Sequence, residues 1–274
     1  MTIEPSDIIS DGYVRIYRQR TDIPFIPDNI LNIETEFHSL PRLHAAFTGT
    51  AKKEAELAGE MPFAWNPKFG YVTSRPEFCG TGLEVSALLH LEGLHLIGDL
   101  DPALNALYGL RMRYLGCCGD GLRNAAHLFR VSNASMLGAD ERDIVSRTGR
   151  VLSDLVHQET NARIRLVEEM PRVFEDAISR SIAILRSCRL LSEWEFLDII
   201  SPLRIAAELE FLDNFTREEA LALTRPRINL PQAPFPSTVE EQREKDRRDA
   251  ALADKVNRRF KSVRLNARGK DWLT

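Results

Sequence analysis

The 274-residue chain has four cysteines, no long apolar run and no dominant charge sign, and each shortage removes a class of function. Cys79, Cys117, Cys118 and Cys188 lack zinc-type spacing, and the adjacent Cys117-Cys118 pair suits neither a shared metal nor a disulfide. Reduced thiols and a cytoplasmic location are the expectation. His38, His44, His90, His95, His127 and His157 show no metal-ligand spacing either. No apolar stretch approaches the ~20 residues of a membrane-spanning helix. Met1-Thr2-Ile3-Glu4-Pro5 lacks the basic-then-apolar pattern of a secretory signal. With 36 basic against 40 acidic residues, no global field points to nucleic acid or to an anionic membrane. No internal repeat is visible. What remains is a chain with 43% apolar residues, enough for one large core, or one core plus a tail.

Periodicity divides that chain in two. Tyr13-Val14-Arg15-Ile16-Tyr17 and the stretch from Ile30 to Phe37 alternate as strands do. Residues 42–60 read as a short helix ending near Gly59. Gly70–Ser74 and Val85–Leu91 read as sheet strands joined by Gly80-Thr81-Gly82. Pro102–Leu115 has helical spacing, and Ala126–Val131 reads as a strand ended by Ser132-Asn133. Beyond this point helices take over. Asp140 is a good N-cap for a long helix with Ile144, Val145, Leu152, Leu155 and Val156 on one face. Pro171 suits a helical first turn. Ser192-Glu193-Trp194-Glu195 and Thr216-Arg217-Glu218-Glu219 have the form of capping boxes. Four prolines within 225–237 mark a linker, and the tail after it is charged, helical to about Phe260, and basic at its end. Strands first and helices later predict an α+β fold, an antiparallel sheet backed by helices.

One segment carries more than periodicity. Trp65-Asn66-Pro67-Lys68-Phe69-Gly70-Tyr71-Val72-Thr73-Ser74-Arg75-Pro76, followed by Gly80-Thr81-Gly82-Leu83, resembles the core motif of the ATP:guanido phosphotransferases, the phosphagen kinases and bacterial protein-arginine kinases. Asp11-Gly12-Tyr13-Val14-Arg15-Ile16-Tyr17-Arg18 and Ile23-Pro24-Phe25 resemble that family's first strand and the turn after it. Gly119-Asp120-Gly121 and His127-Leu128-Phe129-Arg130-Val131-Ser132-Asn133 resemble a run seen in the bacterial protein-arginine kinases. The resemblance covers about Asp11 to Arg225, with a deletion before Trp65. It implies a curved antiparallel sheet flanked by helices, with the helical domain that usually precedes it largely missing. Residues 1–230 are then a catalytic-type domain, and 231–274 a Pro-rich linker and charged tail.

The chemistry implied by the family is phosphoryl transfer from Mg·ATP to a guanidinium, which rests on positioning and charge stabilisation. Family members hold the nucleotide with five arginines and the substrate with two carboxylates and a cysteine. Here the first-strand arginines are Tyr13 and Arg15, so one is kept. The arginine after Gly-Thr-Gly-Leu is Glu84, a charge reversal. Another aligns with Leu115, and the cysteine position holds Arg75. Asp120 partly matches one carboxylate, and the Asn-Glu-Glu-Asp-His motif has no clear match near Asp28-Asn29. Arg113 or Arg123 are candidates to replace a lost arginine. Each lost charge-assisted bond costs on the order of 1.5–3 kcal/mol, so several together erase ordinary ATP affinity.

Plainer roles stand beside these. Arg15 and Arg18 read as solvated strand residues if the resemblance is set aside. Arg75 and Glu84 either bridge each other across the vacated pocket or form a new ligand site. Asp120 serves equally as a turn residue. His127 reads as a satisfied structural histidine, Cys79 and Cys117-Cys118 as small buried apolar residues rather than reactive thiols, and the tail as a solvated helix whose basic end offers a docking point. The resulting expectation is a degenerate guanido kinase relative, a pseudokinase that binds a protein, arginine or phosphoarginine and regulates or scaffolds a partner such as an active arginine kinase or its substrate. No cofactor and a homo-oligomer fit that reading. The alternative is a divergent protein-arginine kinase using Mg·ATP, with Arg15, Arg113 and Arg123 on phosphate and Asp120 and Arg75 at the substrate.

Overall fold

A computed structural model of the chain describes residues 8–116, 124–225 and 236–267. The first two strands are β1 (Ile9–Gln19) and β2 (Ile30–Phe37), antiparallel, with Arg15 opposite Glu34. Their alternation sends Val14, Ile16, Ile33 and Phe37 into one core. Helix α1 (Leu43–Ala58) follows, as its spacing predicts, and buries Leu43, Ala46 and Thr50. Lys53 reaches from it to the carbonyl of Glu34 on β2 (2.8 Å).

Between α1 and the sheet's middle strand lies a small hairpin, β3 (Trp65–Asn66) and β4 (Gly70–Tyr71). This corrects the expectation of a sheet strand over Gly70–Ser74. The Asn66 side chain accepts from the backbone of Lys68 and Phe69 and folds the segment back on itself. Nor does Gly80-Thr81-Gly82 join two strands of the main sheet. Gly80 bonds Tyr71 in both directions, and a Cβ on it would lie 2.4 Å from the Met136 carbonyl. Its φ of 102° closes off other residues as well. Arg18 pins this turn. It is 1% exposed, donates to the carbonyls of Thr81 (2.8 Å) and Tyr17 (3.0 Å), and pairs with Glu54. It is therefore a buried clasp, not a solvated strand residue.

The central strand β5 (Leu83–His90) is buried along its whole length. Leu83, Val85, Ala87 and Leu89 join the core formed with β1 and β2. After it come α2 (Glu92–Ile97), α3 (Leu100–Gly109), β6 (Met112–Gly116) and β7 (Leu128–Asn133). The helical spacing expected over 102–115 stops at Gly109. Arg111 turns the chain with φ 57°, and Met112 is then buried while Leu115 is 56% exposed, a strand pattern. The sheet order is β2-β1-β5-β7-β6, with every pairing antiparallel.

Helix α4 (Glu141–Glu168) backs the sheet and buries all five residues expected of it. Asp140 caps it through the Arg142 amide (2.8 Å). Helices α5 (Pro171–Ser187) and α6 (Glu193–Glu208) follow, then the short strand β8 (Leu212–Asp213) and α7 (Arg217–Thr224). Ser192 and Thr216 cap their helices by accepting from the amides of Glu195 and Glu219, which is half of the expected capping box at each. The linker expected over 225–237 falls almost wholly outside the described residues. Helix α8 (Val239–Phe260) opens with a capping box at Thr238 and Glu241 that the sequence reading missed, and β9 (Arg264–Leu265) then pairs with β8.

The charged helix is not solvated all round. Ala253, Val256 and Phe260 enter a second core with Phe174, Ile178, Leu185, Phe196 and Phe215. Phe260 is 0% exposed, so Phe260→Ala is expected to cost about 3–5 kcal/mol in urea unfolding. A free tail would lose nothing from that change.

Candidate functional site

The face of the sheet turned away from the first core is polar in part, while Leu88 and Leu128 on the same face join Ala125, Ala126 and Leu197 in a small apolar cluster. The polar residues follow from the period of two: Tyr13, Arg15 and Tyr17 on β1, Glu84 and Ser86 on β5, Arg130 and Ser132 on β7, and Arg113 on β6. Glu84 stands among them with its side chain 10% exposed. Arg15 lies directly opposite it on β1 and places Nη1 3.7 Å from Oε2. The Tyr17 hydroxyl donates to the same oxygen (2.9 Å). Arg113 donates through Nη2 to the other oxygen and through Nε to Ser132 (2.9 Å). Arg15 is completed by Glu34 (2.9 Å). Burial first and the Glu84 charge second raise the pKa of Tyr17 far above its ordinary range, so its hydroxyl stays a donor.

Arg75 takes no part in this cluster. It precedes a 3₁₀ turn over Pro76–Phe78, is exposed, and among the described residues forms no ion pair. The expected Arg75–Glu84 bridge is thus replaced by a Glu84 held between Arg15 and Arg113. The reason is register: Arg15 faces Glu84 within the sheet, whereas Arg75 lies outside it. Of the predicted site residues the structure unites Arg15, Glu84 and Arg113 and sets Arg75 apart. Asp120, Arg123, Cys117 and Cys118 lie outside the described residues. Cys79 is half-buried, its sulfur 3.4 Å from the Thr73 amide.

Sequence reasoning missed Tyr17, Glu34 and Ser132 as partners. The alternation of residues 13–17 and 30–37 contained part of the signal, but pairing Arg15 with Glu34 needs the register. It also missed a buried network behind the same strand. Arg163 of α4 binds Glu159 (2.7 Å) and Glu208 of α6 (2.5 Å) and donates to Nδ1 of His90 (3.2 Å). Burial, then Arg204 and Arg163, hold His90 well below its ordinary pKa, so it is neutral. With Nδ1 accepting, its proton sits on Nε2 and reaches Ser201 (2.8 Å), which donates to Glu92 (2.5 Å). Glu92 is also met by His127 (2.5 Å), which just precedes β7. Arg204 lies buried beside this network with its guanidinium nitrogens unbonded among the described residues. Burial brings it to about 10, and Glu208 helps to keep it charged.

His127 gives this network a pH dependence. Burial opposes its protonation, but the hydrogen bond and charge of Glu92, with Asp198 and Glu159 behind, outweigh it and raise its pKa above the ordinary 6.5. Its contribution is therefore complete below the unfolded pKa of 6.5 and is lost as pH rises through the raised folded value. The stability difference between the native protein and His127→Gln is expected to shrink from pH 6 to pH 9, as read from urea midpoints. A difference that grows with pH would contradict this assignment. His95, stacked on His127 at 3.6 Å, has a lowered pKa and acts in the opposite direction, so the comparison with the variant is the informative one.

Among the described residues no group of His, Cys, Asp and Glu is arranged to hold a metal, and no helix is long and apolar enough to cross a membrane. The antiparallel sheet, the helices that back it and the Gly-Thr-Gly turn leading into its central strand define a guanido-kinase type of protein. Residues 31–162 match the family model of the ATP:guanido phosphotransferase C-terminal catalytic domain, and residues 171–270 match that of the protein-arginine kinase McsB C-terminal domain. The chain belongs to the ATP:guanido phosphotransferase family. The second match takes in the charged helix, for which the sequence reading found no family counterpart. A protein-arginine kinase from Geobacillus stearothermophilus is 33% identical over 217 residues, 77% of this chain and 58% of the relative. Another from Bacillus mycoides is 32% identical over 223 residues, 77% of this chain and 62% of the relative. The chain thus spans roughly three-fifths of the length of these relatives. Among solved structures, the duplicated taurocyamine kinase from Schistosoma mansoni is similar at TM-score 0.48 and 12% identity, over 62% of this chain and 35% of that one.

Proposed function

We propose that this chain is a non-catalytic member of its family that works by binding a protein partner. The observation that supports it is Glu84. Its carboxylate lies among Arg15, Arg113 and Tyr17, where the family motif calls for a further arginine. Mg·ATP does not fit these residues. Its phosphates would meet an anion where they need a cation, and both arginines would have to leave a carboxylate that is 10% exposed. No transfer step is therefore derived through the nucleotide. The competing reading, a divergent protein-arginine kinase built on Arg15, Arg113, Arg123, Asp120 and Arg75, needs those guanidinium groups free. Arg15 and Arg113 are engaged with Glu84, and Arg75 is exposed and forms no ion pair among the described residues.

The partner this reading favours is an active protein-arginine kinase or one of its substrates, since shared ancestry gives related surfaces. Two assays test it. Incubation with Mg·ATP and an arginine-rich acceptor protein is expected to yield no phosphoarginine above the enzyme-free blank. Adding the chain in excess to a working protein-arginine kinase is expected to change its rate or its choice of substrate. Phosphoarginine formed by the chain alone would establish the kinase instead, and an unaffected partner reaction would remove the regulatory role.

A further inference from the structure

Exposed large apolar side chains collect at the end of the sheet where β1 stops. Trp65 is 60% exposed, and Phe25, Ile26, Phe69 and Leu137 are each about half exposed. They belong to three segments far apart in the chain, which backbone hydrogen bonds bring together. The Thr21 amide donates to the Pro62 carbonyl (3.1 Å) and the Ala64 amide to that of Gln19 (2.8 Å), so the loop after β1 adjoins the β3–β4 hairpin. Tyr71 of the hairpin bonds Gly80, and the next residue, Thr81, donates to the Met136 carbonyl beside Leu137 (2.9 Å).

These segments are held in place from beneath. Gln19 is buried, and its side chain donates to the Ile26 carbonyl (3.1 Å) and accepts from the amide and hydroxyl of Ser74 (2.9 Å each). Asn29 donates to the Pro24 carbonyl (2.7 Å), and Asn66 closes the tip of the hairpin. Contiguous exposed apolar surface marks a place of association, and a backbone fixed in advance loses little freedom when it is covered.

The charges on these segments point to what covers them. Lys68 and Arg75 are exposed cations, Asp28 and Glu77 are exposed anions, and none of the four forms an ion pair among the described residues. Lys68 instead holds its ammonium 5.2 Å from the centroid of the Phe69 ring. A surface of one sign would call for a partner of the other. Two free charges of each sign make this surface complementary to itself, because a two-fold axis brings the cations of one copy to the anions of the other. Residues 21–28, 62–69 and 75–77 supply about the twenty residues per side that a stable interface uses.

We infer that two copies of this chain pair through this face about a two-fold axis, with Trp65 and Phe69 as its apolar anchors. The pairing is independent of Glu84 and its arginines, so nucleotide binding or its absence leaves the inference where it stands.

Sedimentation equilibrium of the whole chain tests it. A reversible monomer–dimer equilibrium is expected between about 1 and 100 μM. Trp65→Ser combined with Phe69→Ser is expected to weaken it about tenfold or more, since exposed aromatic anchors carry most of such binding. The urea midpoint of that variant is expected to stay near the native value, because both side chains lie at the surface. Tyr108→Ser, which removes an exposed ring on α3, is expected to change nothing. Two charge variants test the two-fold itself. Lys68→Glu with Arg75→Glu, and Asp28→Lys with Glu77→Lys, are each expected to stay monomeric alone and to pair when mixed. A native chain that is monomeric throughout the range overturns the inference. So does a dimer that the aromatic changes leave intact, or a pair of charge variants that do not associate on mixing.

Discussion

Glu84→Arg is expected to bind Mg·ADP far more tightly than the native chain does. The change moves one buried position by two units of charge, between Arg15 and Arg113. At ~5 Å and an effective dielectric of ~20, each unit is worth about 3 kcal/mol before screening. Arg113 is 38% exposed, so solvent takes a large share. Halving the sum still leaves an effect on the order of a hundredfold. Glu84→Gln is expected to show a smaller gain, since it frees both arginines without adding a third cation. Three arginines together repel, so circular dichroism must show that Glu84→Arg stays folded. Neither variant is expected to transfer phosphate, because Tyr13 and Leu115 still stand where arginines are needed. If both variants fold and neither binds better than the native chain, Glu84 is not what excludes nucleotide.

A stability loss as large as that of Phe260→Ala is expected from Arg163→Met. Arg163 is fully buried and is the charged partner of Glu159 and Glu208, which are buried as well. Removing it leaves two carboxylates without their cation. Such a break costs about 3–5 kcal/mol, much of it the desolvation of the groups left behind. The carboxylates gain some relief by taking up protons, because burial already raises the pKa of both. The loss is therefore expected to be smaller at pH 5 than at pH 8. Arg165 on the same helix is the control. It pairs with Asp99 and Glu169, but all three are about half exposed. Arg165→Met is expected to cost less than about 1 kcal/mol. Equal losses from the two changes would contradict the view that burial decides what these ion pairs contribute.

The contrast explains what the sequence could disclose. Local signals were legible where one face meets one core. The alternation of residues 13–17, the caps at Asp140, Ser192 and Thr216, and the apolar stripe of α4 all depend on near neighbours in the chain. Strand β6 was hidden because Leu104, Leu107 and Leu110 continue a helical spacing, and only the left-handed Arg111 interrupts it. The hairpin of β3 and β4 was hidden because its turn depends on one asparagine side chain. For the site, a motif with an altered residue was enough to single out Glu84. Its partners were not legible, because Arg15, Arg113 and Tyr17 reach it from other strands and their pairing is a matter of register. Arg75 illustrates the reverse case. It is near Glu84 in sequence and aligned with a catalytic position, yet a three-residue turn sets it outward. The buried network of His90, Glu92, Glu159, Arg163, Ser201 and Glu208 gave no signal at all, since its members are scattered over four elements.

The central claim is that Glu84 has taken the place of a nucleotide phosphate. Calorimetric titration of the unaltered chain with Mg·ADP tests it most directly. No saturable heat is expected, even with nucleotide in the millimolar range. Saturable one-site binding would contradict the claim, and it would mean that Arg15 and Arg113 exchange Glu84 for phosphate.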